Sequence, residues 1–182
     1  EAAQRRAVEA ETLREAVAAV TATLDLDEII PRVLVQLQRV VPYDSAAVQL
    51  LRDGQMENVG GRGFADLSAV VGVRFPLDET SPNQIVFQSR RPVILADAPE
   101  SYPAFHGPSH AHVRGWMGVP LLRQDRVIGM LTLDSRQPNA FTEDHARLAT
   151  AFADQVAIAF EQARLFQDVQ RLATTDPLTN VH

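Results

Sequence analysis

The sequence predicts an α+β domain with helices at both ends and an antiparallel sheet between them. Three observations predict it. Apolar residues step by threes and fours near each end, an Asp53-Gly54 dipeptide separates two short strand-like runs, and two nearly continuous apolar runs follow between 115 and 134. The 182 residues, 46% of them hydrophobic, suit one domain with a full core and helical extensions.

From Val8 to Leu24 the positions Leu13, Val17, Val20 and Leu24 form an amphipathic or coiled-coil stripe. A second helix starts near Asp25 or Asp27 and carries Ile30, Val33, Leu34, Leu37 and Val41 on one face. Asp25 and Glu28 have capping-box spacing, but Pro31 fits best in a first turn, which favours Asp27 as the cap. Ser45 to Arg52 and Gln55 to Val59 then read as a hairpin across Asp53-Gly54. Gly60-Gly61-Arg62-Gly63 lacks the strand-to-helix context and the Lys-Ser/Thr ending of a phosphate loop, so it reads as a strand end with bulges.

Val73 to Leu77 is a short strand, and Ser81-Pro82-Asn83-Gln84 opens a helix that ends near Arg90-Arg91-Pro92. Val93 to Ala96 is another short strand. Asp97 to Val113 is loop-rich and holds His106, His110 and His112. Gly115 to Leu122 and Val127 to Asp134 are apolar enough to be central strands covered on both faces. The last helix starts at Phe141-Thr142-Glu143-Asp144, with Thr142 as cap and two acids facing the helix dipole. Its stripe is Leu148, Phe152, Val156, Ala159, Ala163, Phe166 and Val169.

In that order and spacing, Arg114-Gly115-Trp116-Met117-Gly118-Val119-Pro120-Leu121, Val127-Ile128-Gly129-Met130-Leu131 and Pro138-Asn139-Ala140-Phe141-Thr142-Glu143-Asp144 resemble a GAF domain. The resemblance implies an antiparallel sheet of about six strands, with terminal helices on one face and short helices and loops enclosing a ligand pocket on the other. The closing Asp176-Pro177-Leu178-Thr179-Asn180 resembles the opening motif of GGDEF diguanylate cyclases, Asp-x-Leu-Thr-(Gly/Asn), which follows an input domain and a connecting helix. A plain helix stop at Pro177 is the alternative reading. The expected organisation is a signalling helix over 1–24, a GAF sensory domain over 25–165, and a connecting helix with the start of a GGDEF domain over 166–182. The start at Glu1, without Met and inside a helical pattern, points to a fragment of a longer signalling protein.

Composition narrows the chemistry. The net charge of −6 with scattered arginines argues against nucleic acid as a partner. No apolar run is long enough to span a membrane, so no membrane contact is expected of this stretch and a cytoplasmic setting is compatible; an anchor further upstream is left open. All 17 cations are Arg, which excludes lysine chemistry, and the absence of Cys excludes thiolate metal sites, thioether-linked chromophores and cysteine nucleophiles. Cyclic-nucleotide-binding GAF members carry an Asn-Lys-Phe-Asp-Glu signature; here Asp134-Ser135 stands where the Asn-Lys pair is expected, which lowers that reading.

The pocket residues implied are Phe75, Phe87, Asp97, Tyr102, His112, Arg114, Trp116 and Thr132. Arg114 can anchor an anionic ligand through its planar fork or pair with Asp97 or another acid. Trp116, Phe75 and Phe87 read as pocket wall or core. No catalytic residue is expected in this stretch, and no cofactor beyond an unknown small molecule. The expected function is regulatory: ligand binding transmitted through the terminal helices to the chain's own C-terminal diguanylate cyclase, hence to cyclic di-GMP signalling. A homodimer is expected through Leu13, Val17, Val20, Leu24, Phe152, Val156, Ala159, Ala163 and Phe166, with intramolecular packing competing for the same stripes. The alternatives are a ligand-free dimerisation spacer, and a haem or metal sensor using His106, His110 and His112.

Overall fold

A computed structural model of the chain describes residues 2–21 and 25–174, the side chains of 14–21 and 174 excepted. Helices α1 (Ala2–Thr21) and α2 (Leu26–Val40) precede the hairpin β1 (Ser45–Arg52) and β2 (Gln55–Arg62). The short strand β3 (Arg74–Phe75), helix α3 (Asn83–Ser89), strand β4 (Val93–Leu95) and one-turn helix α4 (Ala98–Ser101) come next. The hairpin β5 (Gly115–Arg123) and β6 (Arg126–Ser135) and the 32-residue helix α5 (Glu143–Thr174) complete the chain. The six strands form one sheet in the order β3-β2-β1-β6-β5-β4, and every neighbouring pair is antiparallel. This is the α+β architecture expected of the sequence.

Strand alternation sorts the sheet into two faces. Ala46 and Val48 of β1, Met117, Val119 and Leu121 of β5, and Leu131 and Leu133 of β6 join α2 and α5 in the larger core. Ile29, Val33, Leu34 and Leu37 from α2, and Phe152, Ala153, Val156 and Ala157 from α5, fill it from above. Helix α1 lies against both α2 and α5. Met56, Val86, Ala98, Phe105, Val113, Trp116 and Met130 build a second core on the opposite face, under α3, α4 and the loops.

Local chemistry explains most boundaries and corrects several expected ones. Helix α2 is capped by Asp25, whose carboxylate accepts from Asp27 N at 2.9 Å, rather than by Asp27. Pro31 therefore lies in the second turn, where the bond its missing N–H forgoes would have reached the solvent-exposed Asp27. The Asp53-Gly54 turn has both residues at positive φ, 52° and 74°, as a tight hairpin turn of this kind requires. Strand β2 continues past Val59 to Arg62, with a bulge opposite Val48 and Gln49. Strand β3 stops at Phe75 instead of Leu77 because Pro76 has no N–H to donate. The β5–β6 turn, Gln124-Asp125, also takes positive φ at both residues without a glycine.

Helix α5 opens with reciprocal capping: Thr142 Oγ1 accepts from His145 N at 3.2 Å, and His145 Nδ1 accepts from Thr142 N at 3.1 Å. Histidine stands where a capping box ordinarily places Glu or Gln. The helix runs without a break through the expected domain boundary at 165/166.

The dimer stripe divides differently from expectation. Phe152, Val156, Ala159 and Ala163 are buried within the domain itself, and Leu13 packs against the same core. They are not free for a partner, because α5 must cover the sheet over its first five turns. Beyond that point Leu165, Phe166, Val169 and Leu172 are exposed. The side chains of Val17 and Val20, and Leu24 and the 176–180 motif as a whole, lie outside the described residues. No described helix is long and apolar enough to cross a membrane.

Candidate functional site

The face of the sheet opposite α2 and α5 holds a cavity of about 250 Å³. Its floor is made by the strand positions that alternate away from the helical core: Ala47 and Gln49 of β1, Asn58 of β2, Thr132 and Asp134 of β6, and Trp116 of β5. Its roof is Phe64, the 69–75 segment, Ser81-Pro82-Asn83 at the start of α3, and the 104–112 loop.

A relay of buried amides ties floor to roof. Asn83 Nδ2 donates to Gln49 Oε1 at 3.3 Å, Gln49 Nε2 donates to Asn58 Oδ1 at 3.0 Å, and Asn58 Nδ2 donates to the Val70 carbonyl at 3.2 Å. The Asn58 backbone adds two bonds, accepting from Gly72 N at 2.8 Å and donating to the Val73 carbonyl at 2.9 Å. The 70–73 roof is thus clipped to a single strand residue. Among the described residues no buried side-chain nitrogen or oxygen lacks a partner, so the relay imposes no desolvation penalty of the kind an orphaned amide would.

One wall is aromatic. Phe75 meets His110 edge-on at a centroid distance of 6.1 Å, His110 meets Phe105 at 6.3 Å, and Phe105 meets Trp116 at 6.4 Å. Burial holds His110 below the usual histidine range, and the charge of His112 pushes the same way. Trp116 lies across the sheet over Gly118, where an added Cβ would come within 2.4 Å of the indole. A side chain at 118 would displace the ring from the cavity wall.

At one end of the floor, Asp134 pairs in register with Ser45 on one side and with Trp116 on the other. Ser45 Oγ donates to Asp134 Oδ2 at 3.0 Å. Burial pushes the Asp134 carboxyl up to about 7, the negative charge of Asp44 adds to this, and the Ser45 bond opposes it. No arginine pairs with Asp134 among the described residues.

Of the residues singled out from sequence, Phe75, His112, Trp116 and Thr132 line this cavity and Phe87, Asp97, Tyr102 and Arg114 do not. Phe87 and Tyr102 pack against the second core. Arg114 and Asp97 form a forked pair outside the cavity, the ion pair that is the alternative reading of Arg114. Trp116 and Arg114 flank Gly115, but Arg114 precedes β5; its N donates to the Ser135 carbonyl at 2.8 Å and its carbonyl accepts from Ala98 N at 2.7 Å. His106 faces the Pro99 carbonyl, with Nε2 at 2.8 Å, so the three loop histidines do not converge. No group of three His, Cys, Asp or Glu side chains placed to hold a metal occurs among the described residues.

Sequence reasoning passed over Gln49, Asn58, Asn83, Phe64, Phe105 and Asp134 as site residues. One signal was available: across a two-residue turn at 53–54, Gln49 must oppose Asn58, which puts two amides side by side on one face of the hairpin.

An open antiparallel sheet with helices packed on one face and a roofed, partly polar cavity on the other defines a class of α+β domain with a candidate ligand site opposite its helices. The chain belongs to the GAF domain family, whose model matches residues 23–161. GAF domains are small-molecule-binding regulatory sensor domains. The anaerobic nitric oxide reductase transcription regulator NorR of Vibrio vulnificus (strain YJ016) is 26% identical over 132 residues, 66% of this chain and 26% of that protein. The chain therefore spans about a quarter of that relative's length.

Among solved structures, the GAF domain of a phosphoenolpyruvate-protein phosphotransferase (ptsP) from Coxiella burnetii superposes with a TM-score of 0.76 at 23% identity, covering 88% of this chain and 96% of that one. The free methionine-R-sulfoxide reductase of Neisseria meningitidis, in complex with its substrate, gives a TM-score of 0.68 at 20% identity over 86% and 90% of the two chains. The phycoerythrobilin-bound GAF domain of a cyanobacterial phytochrome gives 0.71 at 17% identity over 89% and 99%. At these identities the likeness is one of fold.

Proposed function

We propose that this GAF domain is the input of a signalling protein: a small molecule occupies the cavity under the 64–82 and 104–112 loops and changes how the terminal helices are arranged. The observation that carries this reading is the division of labour along β5 and β6. Trp116 and Thr132 face the cavity, while Met117, Leu131 and Leu133 on the same strands pack with α5. A shift of either strand on ligand binding is felt directly by α5. Such a ligand must bind one helix arrangement better than the other, since equal affinity shifts nothing. Two of the superposed folds hold a small molecule, a substrate in one and a bilin in the other, which supports a ligand in this one.

For the output we propose a diguanylate cyclase joined after α5. The support is the resemblance of Asp176-Pro177-Leu178-Thr179-Asn180 to the opening of GGDEF domains, reached along a helix continuous from the sheet to Thr174. The exposed Leu165, Phe166, Val169 and Leu172 support a second copy as the partner that α5 meets.

The binding half is tested by native mass spectrometry of the freshly purified protein beside Ala47→Leu, which fills the cavity floor. A small molecule carried by the wild type and lost from the variant supports the reading; equal retention by both places the ligand elsewhere. The output half is tested separately by assaying GTP conversion to cyclic di-GMP in the longer protein. No product there sinks the cyclase proposal and leaves the binding one standing.

A further inference from the structure

The charge around the cavity is one-sided. Among the described residues no arginine lines it, the chain has no lysine, Arg114, two residues before Trp116, is held by Asp97 outside, and Arg136, two residues after Asp134, is exposed. Of the two histidines that line it, His110 is half-buried and biased toward its neutral form, and His112 is exposed. Against this stands one carboxyl, Asp134, whose side-chain partner is a neutral hydroxyl. Beside it Trp116 begins a row of rings through Phe105 and His110 to Phe75. Aromatic faces carry negative potential and attract cations. The nearby amides of Gln49, Asn58 and Asn83 are bonded to one another and carry no net charge.

We infer that the cavity selects a small organic cation, an amine or amidine on a flat apolar body, with its positive group on Asp134 and its body against Trp116 and Phe105. This rests on the reading of the cavity as a ligand site. An anion brought here would meet the Asp134 carboxyl with no fixed cation to compensate, and desolvating it would be unfavourable. An ammonium or amidinium would instead replace water with a charge-assisted bond to the carboxylate and contact with the rings. Size agrees with a small ligand: about 250 Å³ lies below the range of about 300 to 1,000 Å³ usual for drug-sized molecules. A tetrapyrrole does not fit such a space.

The test is calorimetric titration of the protein with two matched series: benzamidine, benzamide and benzoate, and phenethylamine, 2-phenylethanol and phenylacetate. Fluorescence of Trp116, the single tryptophan, locates binding at the wall. At least one of the two cations is expected to bind and perturb the indole, with affinity about tenfold or more above its neutral isostere, and the anions weakest. Asp134→Asn, which keeps a group able to meet Ser45, is expected to remove that preference while the protein still unfolds cooperatively as a folded domain. Ser45→Ala, which retains the carboxylate, is expected to preserve it. Equal or stronger binding by the neutral or anionic members, or an unchanged preference in the Asp134→Asn protein, overturns the inference and leaves a ligand cavity standing. No binding by any member overturns the inference; if the native mass spectrum also carries no ligand, the broader reading falls too.

Discussion

Arg114 and Asp97 hold each other in a fork, with Arg114 Nε donating to Asp97 Oδ1 at 3.1 Å and a terminal nitrogen donating to Oδ2 at 2.6 Å. The bond from Arg114 keeps the Asp97 carboxyl below its ordinary range, and Asp97 raises the guanidinium in turn. Both groups titrate far from neutral pH, so the pair stays charged, and it lies outside the cavity. Arg114→Gln is expected to leave ligand affinity and the Trp116 emission unchanged. A large loss of affinity in that variant, read by calorimetry, would return Arg114 to the site.

The amide relay makes Gln49 a structural lock of the cavity. Gln49→Leu strands Asn83 Nδ2 and Asn58 Oδ1 in a buried setting, and each orphaned group costs about 1 to 3 kcal/mol. Denaturant unfolding is expected to show a loss of about 2 to 6 kcal/mol, and hydrogen exchange a faster opening of the 70–73 roof that Asn58 clips.

Asp134 sets a pH signature. In the folded chain it titrates at about 7 against an ordinary 3.8, so between these values the folded chain keeps a proton that the unfolded chain has lost. Its contribution to stability is therefore greatest at low pH and falls as pH rises through that window, by at most about 1.4 kcal/mol per pH unit. His110 acts oppositely: depressed below 6.5, it contributes stability that is lost as pH falls through its titration. Asp44 reinforces the first effect and His112 the second. The stability difference between wild type and Asp134→Asn isolates the aspartate, and it is expected to move against the wild type as pH rises toward 7. A flat difference across that range would place Asp134 in an ordinary, solvated setting.

Helix α5 has two halves with separate tasks. Phe152 is fully buried in the larger core, and Phe152→Ala is expected to cost about 3 to 5 kcal/mol in chemical unfolding. Leu165 and Val169 are 50% and 64% exposed, so Leu165→Glu with Val169→Glu is expected to leave unfolding of the domain unchanged. The same pair of changes is expected to convert a dimer at tens of micromolar into a monomer by sedimentation. A wild type that is monomeric under those conditions argues against α5 as the meeting surface of this stretch.

Much of the frame could be read from sequence because its signals are local. The Asp53-Gly54 turn, the Thr142 cap and the apolar runs of β5 and β6 each act within a few residues. Pro31 misled because a cap satisfied at Asp25 outweighs one lost bond on a solvent-facing turn. Gln124-Asp125 carries no glycine to announce its positive φ. The site was harder, since which side chains share a cavity depends on strand face and register. Trp116 and Thr132 alternate onto the cavity face and Arg114 falls before the strand begins, a difference that a motif containing both cannot reveal. The amide triad joins β1, β2 and α3, and only the first two are tied by a countable turn.

The most direct test is a thermal-shift survey of a metabolite library on wild type and Ala47→Leu side by side. A ligand bound only to the folded state raises the melting temperature by an amount that grows with the logarithm of its concentration relative to its Kd. The expected result is at least one compound that stabilises the wild type, alters Trp116 fluorescence and leaves the cavity-filled variant unmoved. The contradicting result is a library in which nothing stabilises the wild type, or in which every active compound acts equally on both proteins.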